Sequence, residues 1–230
     1  MQSWAIEDHG VIGDLHTAAL VARDGTIDFL CFPRFDSPSI FASLLDAERG
    51  GHFALGPTGE VRARRQFYLP DTNVLMTRAA GGSGVTELTD LMPVAATGLA
   101  HNIVRRLEMV RGHGRVALHC RPAFDYGRVG HRVERAGDTI VLAPDDGRGT
   151  AVRLRSNLPL EVEDGAVTAT ADLASGEAVW VVLEPADAGE HSPCAAADYS
   201  HAAREATVKF WQGWIGRSTY RGRWKEMVDR

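Results

Sequence analysis

The sequence predicts a mainly β protein, a sandwich or barrel of antiparallel strands followed by one long helix. Three observations carry this. Short apolar or alternating runs recur between residues 10 and 185, separated by Gly and Asp turn residues. Almost none of that stretch keeps a helical period. After residue 185 the pattern changes to a long amphipathic helix.

The first hairpin is the clearest. Thr17–Arg23 and Thr26–Cys31 flank Asp24-Gly25, a pair that accepts the positive φ of a tight hairpin turn. Ser37 as a cap, Pro38 at the first helical position and the apolar set Ile40, Phe41, Leu44 and Leu45 then predict a short helix. Val61–Leu69 alternates, with Val61, Ala63 and Phe67 opposed to Arg62, Arg64 and Tyr68. Asn73–Ala80 and Val85–Val94 flank the loop Gly81-Gly82-Ser83-Gly84, and Ile103–Arg111 and Arg115–Phe124 flank Gly112-His113-Gly114. Further strands fit Thr139–Ala143, Thr150–Arg155, Ala166–Ala171 and Ala178–Glu184.

Pro185–Pro193 reads as a loop and Ala195–Ser218 as the long helix. Its stripe is Tyr199, Ala203, Ala206, Phe210, Trp211, Trp214 and Ile215. Gly222 breaks it, and Arg223–Arg230 begins another helix that has no capping signal. Trp224, Met227 and Val228 there need a surface to bury against, so the sequence is expected to belong to a longer chain.

Composition sets the outer limits. Hydrophobic residues make 44% of the 230, charged ones 24%, and the net charge is −5. That balance suits a soluble globular protein and gives no reason to expect nucleic acid or a membrane as partner. The cluster Arg62, Arg64 and Arg65 reads as a solvated strand face. The first ten residues include Glu7 and Asp8 and lack the apolar run of a secretory signal, and no window approaches a membrane span. With three widely spaced cysteines, Cys31, Cys120 and Cys194, free thiols and a cytoplasmic location are expected.

The catalytic motifs fail one by one. The Gly81–Gly84 loop lacks the Lys-Ser/Thr of a phosphate-binding loop, and no serine sits in a Gly-x-Ser-x-Gly elbow. The nine histidines form no zinc spacing, so no metal and no cofactor are expected; surface or structural roles fit each better. Glycoside hydrolysis uses two carboxylates. Of the candidates, Glu87 and Asp90 fall on opposite strand parities, Asp145-Asp146-Gly147 is a turn, and Glu161, Glu163 and Asp164 lie in a hydrophilic stretch. No catalytic residue can be named.

One segment is more specific. Ile6-Glu-Asp-His-Gly-Val-Ile-Gly-Asp-Leu-His-Thr-Ala-Ala-Leu-Val-Ala-Arg-Asp-Gly-Thr-Ile-Asp-Phe-Leu-Cys-Phe-Pro-Arg-Phe-Asp-Ser-Pro38 resembles the opening of bacterial and archaeal family 15 glycoside hydrolases, trehalase-like and glucoamylase-like. The similarity continues through Thr89–Pro93, Arg105–Arg111, Pro122–Arg128, Phe210–Trp214 and Ser218–Trp224. It implies an N-terminal super-β-sandwich over residues 1–190, a helical linker over 191–220, and the start of an (α/α)6 barrel at 221–230. The two glutamates of the family's inverting mechanism would lie in that barrel, beyond Arg230. The implied partners are the chain's own C-terminal barrel and, for the longer enzyme, an α-glucoside.

Within the sandwich, Phe32-Pro-Arg-Phe-Asp-Ser37 carries aromatics and charge on a Pro-flanked loop. Phe32, Arg34, Phe35 and Asp36 are therefore candidates for a substrate-pocket rim or domain interface. An Arg34–Asp36 pair that only holds the loop fits equally well. Phe210, Trp211, Trp214 and Trp224 are candidates for the helix face toward the barrel. Two other readings stand beside this: a stand-alone carbohydrate-binding β-sandwich, and a complete protein that self-associates through its terminal helices.

Overall fold

The computed structural model describes residues 4–94, 101–188 and 198–228. Among the described residues, fifteen strands precede the long helix. These are β1 (His9–Gly13), β2 (Ala18–Ala22), β3 (Ile27–Cys31), β4 (Ser39–Phe41), β5 (His52–Pro57), β6 (Val61–Tyr68), β7 (Leu75–Gly81) and β8 (Gly84–Leu91). After β9 (Ile103–Arg121) and a single turn α1 (Phe124–Gly127) come β10 (His131–Ala136), β11 (Thr139–Pro144), β12 (Val152–Ser156), β13 (Glu161–Glu163), β14 (Ala166–Ala174) and β15 (Ala178–Pro185). Helix α2 spans Tyr199–Ile215 and the short α3 spans Lys225–Val228.

Every pairing is antiparallel, as expected of strands joined mostly by short turns. One layer runs β1-β2-β3-β5-β9-β14-β13, with β4 on β3. The other runs β6-β7-β8-β9-β15-β12-β11-β10. Both layers feed one apolar core. Ile12, Ile27, Phe53 and Leu118 meet Leu75, Leu88, Leu107 and Val181 there.

Strand β9 belongs to both layers, and here the structure overturns a reading of the sequence. Gly112-His113-Gly114 is not a break between two strands. The 19-residue strand runs through it. Residues 104–112 pair with β8, and residues 113–120 pair with β14. Gly112 takes φ +81°, and a Cβ there would collide with the Ser83 carbonyl. Glycine lets the strand bend from one layer into the other, and the exposed middle of the bend mimics a turn in sequence.

The short helix expected after Ser37 is likewise absent. Ser39–Phe41 is a strand, paired through Leu30↔Phe41 and Cys31↔Ser39. Ile40 and Phe41 are consecutive yet both buried, whereas Leu45 points to water, so no helical face exists. The turn that follows is capped by Asp46, whose Oδ1 accepts from the Glu48 and Arg49 N–H groups.

Four strands have no sequence signature: β1, β5, β10 and β13. Of these, β10 and β13 are sheet edges with mostly exposed, charged residues. Their charge blunts the edge against further pairing and erases the apolar alternation at the same time.

A polar cluster crosses the core. Arg105 and Asp90 are fully buried and paired Nε to Oδ1 at 2.8 Å. The guanidinium also donates to the Phe53 and Gly25 carbonyls and lies 4.7 Å from the Phe53 ring centroid. One side chain thereby ties β9 to β8, to β5 and to the β2–β3 turn.

Helix α2 covers the outer face of the second layer. Ala203 packs with Val74, Leu91, Val104 and Val182 in a second, smaller cluster, and Trp180 lies half-buried beside it. The helix buries Ser200, Ala203 and Thr207. Small residues let its axis approach the sheet closely.

Candidate functional site

The Phe32–Ser37 loop leaves β3 through a cis Phe32–Pro33 bond. Its residues part company. Phe32 turns inward and is 1% exposed, a core residue. Arg34 and Asp36 stand in solvent, 69% and 78% exposed, with Nε and Oδ1 3.3 Å apart. Phe35 is 64% exposed, and its N–H donates to the His16 carbonyl at 2.9 Å. The loop is thus held from below by backbone, with its charge and one aromatic displayed.

Beside the loop lies a cleft of about 330 Å³ lined by Phe32, Ser37, Phe124, Asp125, Asp146 and Arg148. Its wall at Asp125 begins an unusual turn: Asp125, Tyr126 and Gly127 in succession take positive φ. The Ser39 hydroxyl accepts the Tyr126 N–H at 3.0 Å and holds this turn in place. The two carboxylates here are occupied locally, Asp125 near Arg128 at 3.9 Å and Asp146 by the Arg148 N–H at 3.0 Å.

The second surface is along α2. Phe210 stacks on Trp214 with centroids 6.0 Å apart and meets Trp211 edge-on at 5.3 Å. Trp214 and Trp224 are each about half exposed, at 49% and 51%. A groove of about 640 Å³ runs beside this cluster, between Pro93, Val94, Tyr199, Phe210 and Trp214. The sequence stripe is therefore split: Ala203 faces the sheet while Ala206 and Trp214 face away.

The carboxylates that the sequence offered are distributed as their parities require. Glu87 pairs with Arg78 at the surface, at 2.5 Å, while Asp90 is locked to Arg105 inside. Asp145 and Asp146 precede Gly147 at φ +65°, and Asp164 takes φ +47° in the turn after β13. Of the other buried acids, Asp28 meets His9 at 2.7 Å and Glu184 meets Arg155 at 2.6 Å. Burial pushes the Asp28 carboxyl above the ordinary range, with His9 pulling it back. Cys31 and Cys120 are buried free thiols, and burial pushes Cys120 up to about 12. Cys194 lies outside the described residues.

Two histidine groupings went unseen in the sequence, because their members are far apart along the chain. His52 and His119 stack at 4.7 Å, nearly parallel at 11°, on adjacent strands β5 and β9. Asp14, His16 and His101 converge where β1 turns into β2. No helix among the described residues is long and apolar enough to cross a membrane.

Comparison with known proteins joins these features to a lineage. Residues 1–211 match the family model for the trehalase-like N-terminal domain. The chain belongs to the trehalase-like N-terminal family. A trehalase from Thermoplasma volcanium is 29% identical over 98% of this domain, and one from Mycobacterium tuberculosis is 27% identical over 98%. The chain spans 36% of the length of each. A bacterial glucoamylase solved with acarbose shares the fold, with a TM-score of 0.59 at 10% identity over 94% of the domain and 38% of that chain.

Proposed function

We propose that this chain is the non-catalytic support domain of an inverting, trehalase-type α-glucoside hydrolase, with the catalytic carboxylates outside it. The carrying observation is the state of the buried acids: Asp14, Asp28, Asp90 and Glu184 each bind a histidine or arginine. A glycosidase needs one carboxyl free to give a proton and another set across the sugar to activate water. The trehalase relatives, nearly three times as long, leave ample chain for that pair. On this reading the Phe210, Trp211, Trp214 and Trp224 face receives the catalytic barrel, whose first helix begins near Arg221. The Arg34, Phe35 and Asp36 loop then stands at its rim.

The test is direct. The purified 230-residue chain, incubated with trehalose or maltose, is expected to release no glucose. Release of glucose overturns the proposal. Calorimetric titration with trehalose and maltotriose is expected to show no binding; binding of either makes the chain a carbohydrate-binding module instead.

A further inference from the structure

We infer that Asp14, His16 and His101 form a binding site for a divalent transition metal, zinc above all, with a fourth position open to water. The three offer one ligand atom each, all within 4.8 Å of one another. They come from the β1–β2 turn and from the residue just before Asn102 and β9, so only the fold brings them together.

The carboxylate is prepared for the role. Asp14 is nearly buried, and its Oδ1 accepts the His16 and Thr17 N–H groups, both at 2.9 Å. That clamp fixes the side chain and leaves Oδ2 aimed at the imidazoles, 2.5 Å from His101 Nδ1. Backbone donors that orient a ligating carboxylate are the usual outer support of a metal site.

The backbone of the tight β1–β2 turn sets the second ligand beside the first. Leu15, between the two ligands of the turn, takes φ +73° although it is a leucine with its side chain 51% exposed. A branched side chain in that region is strained, and burial does not compensate here. The strained turn does bring the His16 ring to 4.7 Å from the His101 ring. The His16 Nδ1 lies 3.3 Å from the Asp14 carbonyl oxygen, so the turn itself holds this ring beside the carboxylate.

The donor set selects the ion. Two imidazoles and one carboxylate suit zinc or cobalt, while magnesium and calcium favour cages of oxygen. Ligand bonds of about 2.0–2.2 Å place tetrahedral donors roughly 3.3 Å apart, so the ion would part the Asp14–His101 hydrogen bond at 2.5 Å and draw in the wider gaps of the cluster. The exposed His16 ring, held by its 3.3 Å contact to the Asp14 carbonyl, is the member with room to move. Through the Phe35 N–H on the His16 carbonyl, the bound ion would also brace the 32–36 loop.

The experiment uses the tag-free, metal-stripped 230-residue chain, titrated with Zn²⁺ by calorimetry and with Co²⁺ by its visible absorption. One equivalent of each is expected, and Zn²⁺ at a hundred times its Kd should raise Tm by about 5–10 °C. His16→Ala and Asp14→Asn should each weaken binding at least about ten-fold. His201→Ala, which removes the His201–Glu205 pair on α2, should leave binding unchanged. Failure of the unaltered chain to bind overturns the inference without recourse to any variant. So does binding that survives His16→Ala, or Mg²⁺ raising Tm as much as Zn²⁺.

Discussion

Acidification should destabilise this domain through His52, and the size of the effect follows from where the ring lies. Burial is the main cause that lowers its pKa from 6.5 to about 4, and the neighbouring His119 and Arg121 push the same way, with Asp24 opposing weakly. Register places His52 opposite Arg121, so these cationic groups share one face of the β5–β9 pair. The folded chain therefore refuses a proton that the unfolded chain accepts. The stabilisation is complete above about pH 6.5 and is lost as pH falls through about 4. Between pH 7 and 5 the shift corresponds to about 2 kcal/mol, reduced to roughly 1–2 because the ring is only partly shielded from water. Burial and Arg121 also lower His119, whose own share of the loss remains when His52 is replaced. Urea unfolding of the wild type and of His52→Gln at pH 7 and 5 measures it. Titrations shared by both proteins cancel, and the variant should lose about 1–2 kcal/mol less than the wild type. Equal losses in the two proteins would refute the reasoning.

Two further substitutions probe the core and the loop. Asp90→Ala strands the Arg105 charge inside the sandwich and should cost about 3–5 kcal/mol in urea unfolding, whereas replacing both partners with apolar residues of similar volume should cost far less; a loss under 1 kcal/mol for the single variant contradicts the role given to the pair. Arg34→Ala removes only an exposed ion pair and should change stability by less than about 1 kcal/mol; in a hydrolase of the proposed kind that carries this domain it should raise KM, and unchanged KM and kcat would remove the loop from the substrate rim.

Much of the architecture is legible because turn chemistry is local. Asp24-Gly25 marks the β2–β3 hairpin, and Gly25 does take φ +89°. Strands such as β7, β8 and β15 announce themselves by apolar or β-branched runs bounded by turn residues. The Phe210–Trp214 cluster was also visible, since aromatics at helical spacing on a partly uncovered helix are a local signal. The misreadings share one cause. Gly112 looks like a turn because a strand that changes layers needs glycine as a turn does, and Ile40-Phe41 looks like a helix face because a strand of three residues, all buried, has no room to alternate.

What the sequence determined by itself is therefore the β class, a long helix within 195–218, and the trehalase-like kinship carried by Ile6–Pro38. What only the tertiary structure decided is which distant residues meet. Arg105 reaches Asp90, Phe53 and Gly25, His52 lies on His119, and His101 closes on Asp14 and His16. Periodicity reports the environment of one element at a time. These groupings depend on register between strands up to 87 positions apart, which is set by the packing of the whole core.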